Sequence, residues 1–227
     1  MKKRSVFKHL PKEFVSNLLS GQIYCNSLQY FQKYDDDGVR RDSKEGVSVH
    51  KPSTGLQMNN LTTGSSFILE DWQFESSAIA SQIYVFCMSL NMSDRLEKEF
   101  KSTACVEIYD VEKFCDLVTK NLPLGFSLPS TNRRLRVGHR VRYNDDSEPP
   151  GNRWALPELV AISKRKHYGW QEEFRLVFGK CGVFDFERVN LQVTKGEQSS
   201  QNPIETSPPI TLQIGDISGL CKIHYFE

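Results

Sequence analysis

Glu173 and Arg175 are the two residues whose types and spacing most directly indicate chemistry in this chain. They occupy alternate positions of a short run that favours a strand, because the positions between and after them are Phe174, Leu176 and Phe178. On a strand, the three apolar side chains would be buried on one face, and Glu173 and Arg175 would share the other face, about 7 Å apart. A carboxylate and a guanidinium at this spacing can pair with each other or hold a polar ligand together.

Two interpretations of this strand are open. In the first, it is an edge strand whose polar face is solvated. In the second, it forms one wall of a site, which requires other polar clusters to converge on Glu173 and Arg175. Gln171 and Glu172 come directly before the strand and add two polar side chains to the same region.

The composition is that of a folded protein with little overall charge. The chain has 227 residues, of which 38% are hydrophobic and 25% charged, and its formal net charge is +1. This length and composition predict a single domain that spans residues 1–227. The small net charge gives no strong field that would steer a nucleic acid or a membrane surface towards the molecule.

The cysteines and the apolar segments bear on the compartment. None of the six cysteines forms a C-x-x-C pair, and most of them lie in apolar runs, as Cys87 and Cys105 do. Cysteines used in this way favour a reducing compartment. The basic start of the chain is not followed by an apolar segment, and no stretch of 18 apolar residues occurs. We therefore expect a cytoplasmic protein without a membrane partner.

The hydrophobic pattern predicts an α+β domain that is rich in strands and has three or four helices. A strand at 22–27 is followed by a short helix at 28–34, which Ser27 can cap at its N-terminus. The nearly continuous apolar run at 82–89 predicts a central strand that is buried on both faces. Asp110 is placed to cap a further helix at 111–121.

Four arginines recur at even positions of the segment 132–143. The odd positions between them are mostly apolar, so the pattern predicts a strand with one basic face, or a hairpin that turns at Gly138. A basic strand face suits contacts with the phosphate groups of a nucleic acid or nucleotide. The alternative is an exposed strand held by surface ion pairs. The arginines are Arg134, Arg136, Arg140 and Arg142.

The acidic residues raise the question of a metal site. The segment 35–46 contains three successive aspartates, but their spacing does not match an EF-hand loop, and a solvated loop is favoured. Ligands with the spacing of a zinc site are also lacking, so no metal is predicted. One nuclease-like alternative stays open, in which Asp42, Glu45 and Glu173, with an arginine or lysine, hold magnesium.

The order of several short motifs resembles that of a set of uncharacterised bacterial and phage proteins. A first strand and helix are followed by Gly21–Phe31, with its Asn-Ser pair, and then by R-x-D-x-x-E-G at Arg40–Gly46. An F-C-M-S strand comes next at Phe86–Ser89, and Q-x-E-F-R follows at Gln171–Arg175. The resemblance covers roughly residues 5–180. It brings no assigned chemistry with it.

The opening of the chain and its later glutamate also resemble the ADP-ribosyltransferase superfamily. That resemblance implies two small antiparallel sheets with a cleft between them, which holds NAD as a substrate. It implies that Glu173 is the catalytic carboxylate, which would stabilise the positive charge that develops on the ribose. Tyr24, Tyr30 and Tyr34 would stack on nicotinamide. The cofactor-binding residues implied are His9, Tyr24, Tyr30, Arg40, Arg41, Ser89 and Arg175.

Besides the nuclease-like alternative, two functions from different classes stay open. The first is an NAD-dependent ADP-ribosyltransferase-like enzyme of a bacterium or phage, such as a toxin or a defence or counter-defence factor. The second is a non-catalytic binding or inhibitor protein that recognises a nucleotide, a nucleic acid or a protein. Pairing of Glu173 with Arg175 on the outer surface would favour the second. The enzyme is favoured if one cleft is lined by His9, Tyr24, Arg41 and Glu173.

Overall fold

The computed structural model describes residues 5–34, 39–131, 134–196 and 207–226, and for Thr131 and Arg134 it describes the backbone alone. The strands, β1 to β18 in chain order, are Val6–Leu10, Gln22–Ser27, Val47–His50, Leu56–Asn59, Ser66–Leu69, Trp72–Ser77, Ile83–Ser89, Ala104–Ile108, Phe126–Ser127, Ser130–Thr131, Arg134–Leu135, Gly138–Arg140, Arg142–Asn144, Ser163–Arg165, Glu173–Lys180, Asn190–Lys195, Ile210–Gln213 and Cys221–Tyr225. The α-helices, α1 to α5, are Val15–Leu19, Leu28–Lys33, Asp94–Phe100, Val111–Lys120 and Pro157–Ala161.

The strands form one large sheet and four small ones. The large sheet has nine strands, with the order β12-β15-β7-β1-β8-β18, while β2 joins β7 to β17 and β9 pairs with β15. The small sheets are the pairs β10-β11, β13-β14 and β4-β5 and the three-stranded sheet β16-β6-β3. The expectation of a strand-rich α+β domain is confirmed. Within the described residues, however, the helices number five rather than three or four, and the sheets number five rather than two.

The described helices are short, and three of the five begin at polar caps. Ser27, Ser93 and Asp110 each accept a hydrogen bond from a backbone N–H in the first turn of α2, α3 and α4. The caps at Ser27 and Asp110 confirm the two predicted from the sequence. The longest described helix, α4, has ten residues. None of the helices in the described ranges has the length and apolar content needed to cross a lipid bilayer.

Strand β7 lies at the centre of the molecule and is buried on both faces, as its apolar run predicts. Tyr84, Phe86 and Met88 join a core that includes residues of β1, β8, α1 and α4. Ile83 and Val85 face the opposite way, into a second core with residues of α2 and α5. The strand therefore separates two hydrophobic cores and gives a rigid base for the side chains at its ends.

One edge of β7 is shared between two strands that diverge from each other. β2 pairs with the beginning of this edge, where Asn26 lies opposite Val85. β1 pairs with its end, where Phe7 lies opposite Ser89. In the described part of the chain, no strand pairs with this edge between the two contacts. The sheet thus forks at residues 86–88, and a gap opens between β1 and β2.

In its described part, from residue 134 on, the arginine-rich segment forms three short strands instead of one. β11 pairs with β10, β12 pairs with β15, and β13 pairs in parallel with β14. The prediction of one strand or one hairpin between 132 and 143 is therefore wrong. Burial of Val137, His139 and Val141 anchors the segment at successive points, and each short strand follows a different neighbour.

Candidate functional site

The gap between β1 and β2 is the mouth of a cleft of about 520 Å³. This volume lies in the range of small-molecule and cofactor sites. The cleft is lined by residues of β1, β2, α2, β7 and β15 and of the segment after α2. Seven of the eight residues predicted for catalysis or cofactor binding line it, although they come from distant parts of the chain: His9, Tyr24, Tyr30, Arg40, Ser89, Glu173 and Arg175.

Arg41 and the four arginines of the basic segment do not line this cleft. Arg41 is exposed, and its backbone carbonyl accepts a hydrogen bond from the Tyr168 hydroxyl at 2.5 Å. The predicted phosphate contacts at Arg136, Arg140 and Arg142 are likewise exposed and lie outside the cleft lining. Arg142 forms a surface ion pair with a neighbouring glutamate at 3.4 Å. The side chain of Arg134 lies outside the described residues.

Glu173 and Arg175 pair with each other inside the protein. The Arg175 Nε donates to Glu173 Oε2 at 2.6 Å, and only 1% of Arg175 is exposed. Their strand, β15, lies between β12 and β7, so the interpretation as an edge strand is wrong. Leu176 and Phe178 are fully buried on the opposite face, as the alternation predicts. The ion pair is therefore buried, and both of its residues line the cleft.

Arg175 also holds a carboxylate that is 130 residues away in the chain. Its two terminal nitrogens donate to the two oxygens of Glu45 at 2.6 and 3.1 Å, and one of them also reaches the carbonyl of Ala161 at 3.2 Å. This is the two-point geometry in which guanidinium groups bind carboxylates most specifically. The R-x-D-x-x-E-G and Q-x-E-F-R motifs therefore contact each other directly.

Lys164 completes a buried cluster of two cations and two carboxylates. Its Nζ donates to Glu173 Oε1 at 2.7 Å and to Gln171 Oε1 at 2.8 Å, and it lies 3.7 Å from Glu45. Burial alone would lower the pKa of Lys164, but Glu173 and Glu45 raise it. Burial alone would raise the pKa of Glu173, but Arg175 and Lys164 lower it to about 2. Glu173 is therefore ionised at neutral pH.

Asp42 fixes the segment that carries Glu45. It is fully buried, accepts a hydrogen bond from Arg165 at 3.0 Å, and accepts another from the backbone N–H of Lys44 at 2.9 Å. Gly46, which follows Glu45 directly, adopts a positive φ of 71°, a conformation that glycine tolerates best. The segment thereby turns back towards β15, which brings Glu45 to Arg175.

Aromatic side chains form the outer part of the cleft. Tyr24 and Tyr30 are 56% and 41% exposed, and the ring of Tyr30 lies 5.1 Å from that of Tyr34. The guanidinium of Arg40 lies over the ring of Phe100 at 5.3 Å and donates to its carbonyl at 3.1 Å. Exposed rings can stack on a flat heterocycle, and a cation beside them can balance a negative charge of the same ligand.

His9 belongs to the cleft wall but is packed among other groups. Its ring stacks on Phe226 at 5.9 Å, and its Nδ1 lies 3.3 Å from the Ser102 hydroxyl. Burial and the nearby charge of Lys8 lower the pKa of His9 to about 4. The imidazole is therefore neutral at physiological pH, and its contacts indicate a positioning role in the cleft wall.

Lys8 is a cleft residue that the sequence reasoning missed. It lines the cleft beside His9, and its Nζ donates to the carbonyl of Cys87 at 2.8 Å. A signal was present in the sequence, because a lysine stands between Val6 and Leu10 on the apolar face of a short strand. Burial of a charge at such a position is unfavourable unless a partner or a ligand compensates it.

The other candidate chemistries find less support. Burial raises the pKa of the Cys87 thiol to about 11, which leaves it protonated and a poor nucleophile. Glu45 and Glu173, which a nuclease-like site would need for magnesium, are already held by Arg175 and Lys164. Within the described ranges, no group of three or more histidine, cysteine, aspartate or glutamate residues is arranged to hold a metal ion.

Comparison of the chain with protein-family models, with curated proteins and with solved structures gives no match. The geometry of the cleft is accordingly the basis on which a function can be argued.

Proposed function

We propose that this protein is an NAD-dependent ADP-ribosyltransferase-like enzyme of a bacterium or phage, in which Glu173 is the catalytic carboxylate. The observation that carries the proposal is convergence: an ionised glutamate, an aromatic wall and basic side chains from four separate segments line one cleft. The fork at β7 supports the same reading, because it divides the main sheet into two arms with the cleft between them.

The proposed reaction breaks the bond between C1′ of the nicotinamide ribose and the nicotinamide nitrogen. The bonding electrons leave with nicotinamide, which becomes neutral, and positive charge develops on the ribose. Glu173 stabilises that charge, because it is ionised, lines the cleft and is only 7% exposed to solvent. An acceptor nucleophile on a nucleic acid or protein then forms a bond to C1′ and releases its proton to the solvent.

The surroundings of Glu173 suit this role. Arg175 and Lys164 each bind one of its oxygens, so the carboxylate is held in a single orientation before a substrate arrives. Glu45 balances the second positive charge, and the cluster as a whole is neutral. A carboxylate oxygen can accept a second hydrogen bond, which leaves Glu173 able to bind a ribose hydroxyl at the cleft surface.

A non-catalytic binding protein is the second candidate, and the same cluster favours it. Both oxygens of Glu173 already have partners inside the protein, as in a purely structural ion-pair network. In this alternative, the cleft binds a nucleotide without cleaving it, and the cluster only joins the segment of Glu45 to β15.

Turnover of a fluorescent NAD analogue separates the two candidates. We expect the unsubstituted protein to cleave the analogue and Glu173→Gln to lower kcat at least about a hundredfold, as loss of a preorganised electrostatic group does. Glu172→Gln is the matched control, because Glu172 is adjacent to Glu173 but is exposed and does not line the cleft. It should cleave at the normal rate.

Thermal melts with NAD and with ADP-ribose complete the experiment. Stabilisation by either ligand without any turnover would move the conclusion to the binding protein. Normal turnover in Glu173→Gln would refute the catalytic assignment. If the protein shows no turnover and neither ligand stabilises it, the enzyme and the nucleotide-binding protein are both refuted.

A further inference from the structure

Lys8 occupies the fork of the main sheet. Cys87 lies between Val85, which faces β2, and Ser89, which faces β1, so its carbonyl meets no strand on this side. The Lys8 Nζ donates to that carbonyl at 2.8 Å, and it lies 4.3 Å from the centre of the Phe86 ring. The ammonium is thereby held in the wall of the cleft.

This ammonium has more capacity to donate than the protein uses. An ammonium carries three N–H groups, and the bond to Cys87 employs one of them. Among the described residues, no carboxylate lies within 4 Å of the Lys8 Nζ, and Glu173 is already shared by Arg175 and Lys164. A partly buried cation without a counterion is costly, and it becomes favourable when an anion enters the site.

We propose that Lys8 is the anchor for a negatively charged group of the ligand that binds in this cleft, and that this group binds together with a proton. The proposal deepens the proposed function and rests on it, because the anionic group is then the diphosphate of NAD. Lys8 would fix the diphosphate at the fork, while the aromatic wall receives a ring and Glu173 faces the ribose.

The proton follows from the charges around Lys8. Burial lowers the pKa of Lys8; the thiols of Cys87 and Cys25 and the carboxylate of Glu173 oppose this effect, while the guanidinium of Arg40 adds to it. A bound anion favours the protonated amine and raises the pKa again. Binding therefore takes up a proton wherever Lys8 is partly deprotonated in the free protein, and the affinity falls as the pH rises through that range.

Isothermal titration with ADP-ribose tests the linkage without a cleavage reaction. The titration is run between about pH 7 and about pH 10, on the acid side of the usual lysine pKa, in pairs of buffers with different ionisation enthalpies. We expect a proton uptake that grows with pH over this range. Adenosine, which lacks the diphosphate, should show no uptake. His9 does not contribute in this range, because its pKa is about 4.

Substitution identifies the group. We expect Lys8→Met to weaken ADP-ribose binding roughly ten- to a hundredfold, as loss of a charged hydrogen bond does, and to abolish the proton uptake. Adenosine binding should stay unchanged. Lys12→Met is the matched control, because Lys12 is exposed on the same segment and does not line the cleft.

The outcomes distinguish this proposal from the proposed function. ADP-ribose binding without proton uptake, or with normal affinity in Lys8→Met, overturns the Lys8 anchor and leaves the proposed function standing. Proton-linked binding without NAD cleavage supports the anchor and refutes the enzyme. No binding of ADP-ribose at any pH overturns both. Absence of proton uptake by the unsubstituted protein overturns the anchor even if Lys8→Met fails to fold.

Discussion

Replacing Arg175 with methionine should destabilise the protein more than any surface substitution. The change leaves Glu173 and Glu45 buried with Lys164 as their sole remaining cation in the cluster. Removing one partner of a buried ion pair costs about 3–5 kcal/mol. The pKa of Glu173 points the same way: burial alone would raise it, yet Arg175 and Lys164 together hold it well below its usual value.

Urea unfolding at several pH values measures the change in the free energy of unfolding directly. In a thermal melt of a domain of this size, a loss of 3–5 kcal/mol would lower the melting temperature by roughly 6–20 °C. The lowered pKa of Glu173 means that its contribution is present above about pH 4.5 and is lost as the pH falls towards about 2. In Arg175→Met the buried carboxylates accept protons more readily. The difference from the unsubstituted protein should therefore be largest near neutral pH and shrink in acid.

A double-mutant cycle identifies the interaction. Glu45→Gln alone should also destabilise the protein, but the double variant should lose clearly less than the two single losses together, because the two side chains bind each other. Lys180→Met, at the exposed end of the same strand, is the control and should change stability by less than about 0.5 kcal/mol. A loss below about 1 kcal/mol in Arg175→Met, or one that does not vary with pH, would refute the reasoning.

Two further substitutions test the cleft and the fold around it. Tyr24→Ala should weaken ADP-ribose binding at least about fivefold in a titration, because its ring is available for stacking, and should leave the melting temperature within about 2 °C, because Tyr24 is 56% exposed. Gly21→Ala should lower the melting temperature by several degrees, because its φ is +86° and a Cβ there would lie 2.0 Å from the Gly215 oxygen. Gly125→Ala has the same φ with no described atom within 4 Å of that Cβ, so it should lose about 1 kcal/mol, and an equal loss at both sites would contradict the steric argument.

Local patterns predicted the elements of this fold well. The alternation that begins at Glu173 separates a buried apolar face from a polar one, and both faces are found in β15. The apolar run of β7 predicted a central strand, and Ser27 and Asp110 cap the helices that follow them. These features depend on residues a few positions apart, which a single sequence contains in full.

Pairings over long distances could not be predicted in the same way. The contact of Arg175 with Glu45 depends on a turn at Gly46 and on the burial of Asp42, neither of which the charged segment 35–46 reveals. For the same reason Arg41 was expected in the cleft but lies outside its lining, while Arg40 lies in it. Arg40 donates to the carbonyl of Phe100, whereas the carbonyl of Arg41 accepts a hydrogen bond from Tyr168.

The arginine-rich segment shows a second limit. Its alternation resembles a single strand, yet the chain exchanges one neighbour for another at each short strand. A period of two describes the direction of side chains and carries no information about the partner strand. The fork at β7 also depends on which strands pair, so neither the fork nor the place of Lys8 in it could be predicted from local patterns.

The cost of the buried cluster bears on the choice between enzyme and binding protein. Apolar residues of similar size often stabilise a core as well as a buried ion-pair network does, so stability alone does not call for four charges beneath the cleft. The cluster holds one carboxylate, Glu173, ionised and fixed where the wall of the cleft is formed. A ligand that develops positive charge would use that arrangement, and an uncharged or purely anionic ligand would not. The proposed function therefore predicts that the site cleaves NAD, and binding of ADP-ribose without cleavage would favour the binding protein instead.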